Sequence, residues 1–228
     1  MDVRIPISSG GEMPGYLALP KRPGAAVVVI QEIFGVTPAM KTICDWFASR
    51  QFVALCPELF WRTDPGVVLK ESDREQAFAC RSKVNDGQAA ADIHAAIAYL
   101  RKHEHVNAGV GVVGYCWGGL LSYLTATEHK PDAAVSYYGV GIEKHLEAAS
   151  HLACPLLLHY AELDKFSPPE VIGQVRDAFQ GDPQVTTYTY KADHAFARPG
   201  GHNYHHASAD LADMRTLGFF VDRLVGKR

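Results

Sequence analysis

Cys116 lies in the run Gly114-Tyr115-Cys116-Trp117-Gly118, with a glycine two residues away on either side. An apolar run at residues 109–113 precedes it, and a helix-like apolar stretch at 117–128 follows. A sharp strand-to-helix turn holds its central residue in a strained backbone conformation. Side chains at the flanking positions would strike the neighbouring strand and helix, so glycine is needed there. The sulfur then stands at a helix N-terminus, where the dipole favours a thiolate. The chemistry on offer is nucleophilic attack on a carbonyl. A free thiol is only a few per cent ionised near neutrality, so it needs a base, and the base needs an orienting acid. Ala161-Glu162-Leu163-Asp164 follows the apolar run at 156–160, and Asp193-His194-Ala195-Phe196 follows the run at 185–190. Asp164, with Glu162 as competitor, and His194 complete the chain order nucleophile, acid, histidine. Taken singly, each residue has an ordinary reading as a buried thiol, a loop acid or a surface histidine. The three in order, each after an expected strand, make the case.

Positioning these residues requires elements that alternate. Strands are expected at residues 3–8, 15–19, 25–30, 52–56, 109–113, 133–138, 156–160 and 185–190. Ala-Ala-Val-Val-Val-Ile at 25–30 is apolar throughout, as a strand covered on both faces should be. Helices are expected at 38–50, with Thr37 as N-cap and Pro38 in the first turn, and at 74–84, 89–103, 117–128, 168–179 and 207–225. This alternation predicts an α/β fold, a mostly parallel central sheet with helices on both faces. A chain of 228 residues without repeats or long linkers predicts a single domain over 1–228. Its mass corresponds to a folded surface of about 10,000 Å².

Composition limits the partners. The 22 basic and 25 acidic residues leave a net charge of -3, which offers no field for nucleic acid or anionic membrane. No run approaches the ~18 apolar residues of a membrane span, and the polar N-terminus has no signal-peptide core. The five cysteines are odd in number and have no C-x-x-C spacing, so reduced thiols in a cytoplasm are expected. His202, His205 and His206 cluster without acidic or cysteine ligands at matching spacing, and a solvated loop is the expectation, with no metal. No nucleotide or flavin fingerprint occurs, so no cofactor is expected; Gly109-Val110-Gly111 lies too early in its strand for a dinucleotide site. Nothing in the sequence demands an interface, and a monomer is the default.

Four segments in order resemble the dienelactone hydrolase family of the α/β-hydrolase superfamily. They are Gln31-Glu32-Ile33-Phe34-Gly35-Val36, Gly114-Tyr115-Cys116-Trp117-Gly118-Gly119, Tyr137-Tyr138-Gly139-Val140-Gly141 and the His194–Arg198 run H-A-F-A-R. The resemblance spans nearly the whole chain. It implies opening of an enol-lactone such as dienelactone to maleylacetate, in the breakdown of aromatic compounds. It also implies a Cys116-Asp164-His194 triad, with Glu32 contacting the resting thiol and removing its proton. Arg74 and Arg198 match the arginines that hold a substrate carboxylate, with Arg81 competing for the Arg74 role and Glu71 or Glu75 as ordinary ion-pair partners for Arg74. Backbone N–H groups of Ile33 and Trp117 are then the expected oxyanion hole.

The chain departs from the family pattern at four positions. Ala195 follows His194 where serine is usual, and Phe78 stands where tyrosine is common. Arg81 replaces an aromatic residue, and Trp117 replaces a smaller apolar one. These departures bear on the substrate and leave the triad intact. Two other readings follow: a broad carboxylesterase, and a thiol sensor or binding protein with little catalysis.

Overall fold

The computed structural model describes residues 1–226; residues 227 and 228, the end of the expected domain, lie outside the described residues. Eight strands form one sheet: β1 (Asp2–Pro6), β2 (Glu12–Ala18), β3 (Gly24–Ile30), β4 (Val53–Pro57), β5 (Val106–Tyr115), β6 (Ala134–Tyr137), β7 (Leu156–Ala161) and β8 (Val185–Tyr190). Their order is β1-β2-β4-β3-β5-β6-β7-β8. β1 and β2 run antiparallel to each other, and β2 runs antiparallel to β4. Every other neighbouring pair is parallel. Six α-helices accompany the sheet: α1 (Pro38–Ser49), α2 (Arg74–Ser82), α3 (Asp86–Arg101), α4 (Trp117–Glu128), α5 (Pro169–Ala178) and α6 (His206–Leu224). A 3₁₀ segment covers Ile142–His151 and bends at His145. The expected single-domain α/β architecture is the observed one.

Strand alternation divides the core between the two faces. Along β3, Ala26, Val28 and Ile30 pack with Ile93 and Ile97 of α3 and Leu121 of α4. Val27 and Val29 face the opposite way, with Phe47 of α1 and Phe220 of α6. Each of the valine, isoleucine, leucine and phenylalanine side chains, fully buried, contributes about 1.5–3 kcal/mol. The accessible surface is 10274 Å², close to the size expectation. Among the described residues, no helix is long and apolar enough to cross a membrane.

Boundaries move where glycine hides a pattern. β5 runs for ten residues, where only 109–113 were expected. Gly111 interrupts the apolar run because a Cβ there would come within 2.8 Å of the Phe220 ring. α3 begins at Asp86, because Asn85 caps it by accepting from the Gln88 N–H at 3.0 Å. Gly87, a poor helix former, masked that start. Thr37 caps α1 as expected, accepting from the Met40 N–H.

The sheet order reverses around β3. The chain passes from β3 to β4 on one side and returns to β5 on the other. Such a switch opens a crevice at the carboxyl ends of the strands. Ile30 pairs with Gly114 there, so the segments after β3 and β5 leave the sheet side by side. Ala161 pairs with Tyr190 at the ends of β7 and β8, placing the Asp164 and His194 loops together.

Candidate active site

Cys116 occupies the turn between β5 and α4 with φ 57° and ψ -118°. A non-glycine residue in that region costs of order 1–3 kcal/mol. Backbone hydrogen bonds hold it there. The Cys116 N–H donates to the Tyr137 carbonyl at 3.0 Å, and the Cys116 carbonyl accepts from Gly119 N–H at 2.9 Å and Val140 N–H at 3.3 Å. The flanking glycines are steric necessities. A Cβ on Gly114 would lie 1.8 Å from the Gly118 carbonyl oxygen, and one on Gly118 would lie 2.5 Å from that of Ile30. The Cys116 side chain makes no capping bond to α4, so its sulfur is left for other partners at the positive end of the helix.

Asp164 and His194 meet as the spacing predicts. His194 Nδ1 lies 2.7 Å from Asp164 Oδ2. The second Asp164 oxygen accepts from the Phe166 N–H at 2.8 Å, so the carboxylate is fixed at both ends. Asp164 is buried, while Glu162, its competitor, is exposed. With Nδ1 committed, Nε2 is left for Cys116, the other hydrogen-bonding partner of the ring. Burial opposes a charged imidazole here. The Cys116 charge and the Asp164 hydrogen bond outweigh it and push His194 from its ordinary 6.5 up to about 10. Phe166 and Tyr138 pack edge-on against the ring at 4.8 and 5.1 Å, and Asn203 Nδ2 donates to the His194 carbonyl at 3.0 Å.

Glu32 follows β3 and is 3 % exposed. Its carboxylate is engaged by Arg198, with Nε to Oε2 at 2.5 Å and NH2 to Oε1 at 3.0 Å. Among the described residues no hydrogen bond joins Glu32 to Cys116, the contact the resemblance implied; the forked guanidinium takes both carboxylate oxygens instead. The third face of Arg198 donates to Glu71. Arg198 therefore lines the cleft with each of its three nitrogens already donating to a carboxylate. Gln31 braces the Glu32 loop from behind, donating to the Glu32 carbonyl at 3.2 Å and accepting from the Leu59 N–H at 3.0 Å. The Ile33 and Trp117 N–H groups have no acceptor among the described residues.

Cys116, His194, Ile33 and Arg198 line a cleft of about 360 Å³, with Asp164, Glu32 and Glu71 behind them. Its walls include Phe34, Phe78, Trp117, Leu120, Val140 and Phe166, with Phe78 and Phe166 largely exposed. Arg74, at the start of α2, also lines it and pairs with no acid among the described residues. Arg81 is tied down. Its NH2 group donates to both Asp86 oxygens, at 2.7 and 2.8 Å, and its guanidinium lies 4.6 Å from the centroid of the Trp117 ring, which also stacks with Phe60. Trp117 Nε1 donates to the same Asp86 oxygen at 2.8 Å. Asp86, Gln31, Glu71 and Tyr138 escaped the sequence reading of the site. Gln31 and Tyr138 stand inside the recognised segments, so their position was available there. Asp86 and Glu71 gave no local signal.

The sequence profile of the dienelactone hydrolase family matches residues 13–224. The chain is 38% identical over 219 residues to a carboxymethylenebutenolidase of Pseudomonas sp. (strain P51), covering 93% of this chain and 91% of that one. It is 37% identical over 232 residues to a putative carboxymethylenebutenolidase of Azospirillum brasilense, covering 98% and 99%. A crystal structure of a putative dienelactone hydrolase from Klebsiella pneumoniae superposes with a TM-score of 0.86 at 30% identity, covering 97% of each chain.

Proposed function

The chain belongs to the dienelactone hydrolase family and hydrolyses ester or lactone bonds, and from that premise we propose both the reacting residues and the substrate class. Cys116 is the nucleophile, His194 its base and then the acid for the leaving group, and Asp164 the group that orients the ring. The substrate is an enol-lactone carrying a carboxylate, as in the conversion of dienelactone to maleylacetate. The observation that carries the reading is the alignment of Cys116, His194 and Asp164, with the sulfur on a strained turn at a helix N-terminus.

The steps follow from the residues. The Cys116 thiolate pairs with the His194 imidazolium and adds to the lactone carbonyl carbon. The oxyanion that forms is met by the free N–H groups of Ile33 and Trp117. The ring C–O bond breaks as the tetrahedral centre collapses, leaving a thioester on Cys116. The departing enolate takes a proton from His194. Water, deprotonated by the now neutral imidazole, adds to the thioester, and the acid is released with the thiolate regenerated. In this scheme Glu32 works through Arg198, holding the guanidinium in the cleft, and Arg74 supplies a second cation for the substrate carboxylate.

A broad carboxylesterase is the second reading. It is favoured by the two carboxylates already bound to Arg198, which leave the mainly apolar cleft open to neutral esters. Hydrolysis of cis- and trans-dienelactone beside p-nitrophenyl acetate separates the two. Lactone opening that disappears in Cys116→Ala is the expected result. Ester cleavage without lactone opening would replace the lactonase reading with the esterase one. A folded protein that turns over neither would overturn both in favour of a thiol sensor.

A further inference from the structure

The cation expected to receive a substrate carboxylate already carries two carboxylates of its own. Nε and NH2 of Arg198 grip Glu32, and NH1 donates to Glu71 Oε1. The other Glu71 oxygen accepts from the His202 N–H at 3.1 Å. One guanidinium against two carboxylates leaves a net negative charge at Arg198 itself, with Arg74 and Lys144 as the other cations lining the cleft. An incoming carboxylate is repelled there unless one of the two leaves.

The two carboxylates differ in how they are held. The Glu32 side chain is 3 % exposed and bound through a two-bond fork. The Glu71 side chain is 31 % exposed, reaches Arg198 through a single nitrogen, and comes from the segment between β4 and α2. A forked, dry pair is the stronger and less exchangeable of the two. Glu71 also stands three residues before Arg74, which lines the cleft.

The geometry points to Glu71 as a resident carboxylate that occupies the outer face of Arg198 in the empty cleft and yields it to the carboxylate of the substrate. This rests on the reading of the cleft as an ester and lactone site. Glu71 is thereby a specificity-determining residue. An anionic substrate gains Arg198 only net of what Glu71 loses, whereas a neutral ester leaves Glu71 in place. The exchange keeps the charge around Arg198 unchanged, and Glu71 returns to water beside Arg74.

The test uses crotonate, an unsaturated monocarboxylate without a scissile ring, with methyl crotonate as the neutral control, both by titration calorimetry. Glu71→Gln keeps the side-chain length and removes the charge. Crotonate is expected to bind this variant about tenfold more tightly, the scale of one charge-assisted hydrogen bond net of hydration. Methyl crotonate is expected to be unchanged. The gain should vanish when Arg198→Ala is combined with Glu71→Gln. Glu71→Ala, which removes the carboxylate outright, is the second variant if the first fails to fold, and it should also tighten crotonate. In parallel, KM for cis-dienelactone should fall in Glu71→Gln while KM for p-nitrophenyl acetate holds. Crotonate affinity that stays the same or weakens in the folded variant overturns the assignment and makes Glu71 a brace for Arg198. Tighter crotonate binding by a protein that hydrolyses neither substrate supports Glu71 and overturns the proposed function instead.

Discussion

Cys116 can hold a positive φ because its own N–H and carbonyl are bonded to Tyr137, Gly119 and Val140, so the surrounding backbone over-determines it. That rigidity aims the sulfur at His194, and the charges then set the proton. The folded imidazole keeps its proton well above the ordinary 6.5, to about 10. Its contribution to stability is therefore fully present below pH 6.5 and is lost as pH rises from 6.5 towards 10. The Cys116 charge is the largest influence raising it, against burial, which lowers it. NMR of the His194 ring should accordingly show a titration near pH 10 in the wild type. In Cys116→Ala the midpoint should fall, because burial then meets less opposition. A wild-type midpoint at or below 6.5 would remove the thiolate–imidazolium pair from the account. The pairing of His194 with Asp164 and the strained turn at Cys116 were legible from sequence because each residue follows a strand and the chain order is informative. The engagement of Arg198 was not. Glu32, Glu71 and Arg198 lie far apart in sequence, and Glu71 was weighed only as a partner for nearby Arg74. Sequence proximity fails here because folding brings the 198–202 loop over the segment that carries Glu71.

Elements carry the next level of control. The N-terminus of α3, the end of α2 and the first turn of α4 are joined by Asp86, which takes both Arg81 and the Trp117 indole. Trp117 is thereby pinned as a cleft wall against Phe60 and the Arg81 guanidinium. Asp86→Ala leaves an indole N–H and a guanidinium without their acceptor, at a cost of about 1–3 kcal/mol. The variant should melt at lower temperature and show an altered tryptophan emission. It should also raise the rate ratio of p-nitrophenyl butyrate to p-nitrophenyl acetate about threefold as the wall loosens. An unchanged ratio in a destabilised protein would leave Asp86 a purely structural role. Most helices and all eight strands were readable from apolar periodicity, caps and proline. The 3₁₀ segment at Ile142–His151 was passed over, although Ile142, Leu146 and Ala149 recur at helical spacing and pack on the core; it is positioned by Tyr123, whose hydroxyl donates to the His145 carbonyl at 2.9 Å. Arg81 and Trp117 were noticed as departures from the family pattern. Their partnership through Asp86 could not be, because it joins three elements.

At the scale of the molecule, the order of the sheet does what no segment does alone. β3 and β5 deliver Glu32, Ile33 and Cys116 side by side, while β7 and β8 deliver Asp164 and His194. The second face of the sheet holds a separate polar cluster. His159 bonds Tyr190 at 2.7 Å and Thr216 at 3.0 Å, and Tyr137 bonds Asp213 at 2.9 Å. Burial and the Arg215 charge hold His159 down at about 3, so it stays neutral as α6 packs. Tyr137 also supplies the carbonyl that anchors Cys116, so the packing of α6 reaches the turn that carries Cys116. The central claim is that Cys116 of this assembled site forms a covalent thioester. The most direct test is the intact mass of the protein, acid-quenched during turnover of p-nitrophenyl acetate, followed by peptide mapping. The account predicts one added acetyl group on the peptide holding Cys116, and neither adduct nor turnover in Cys116→Ala. An acetyl group on another residue, or undiminished hydrolysis by Cys116→Ala, would contradict it.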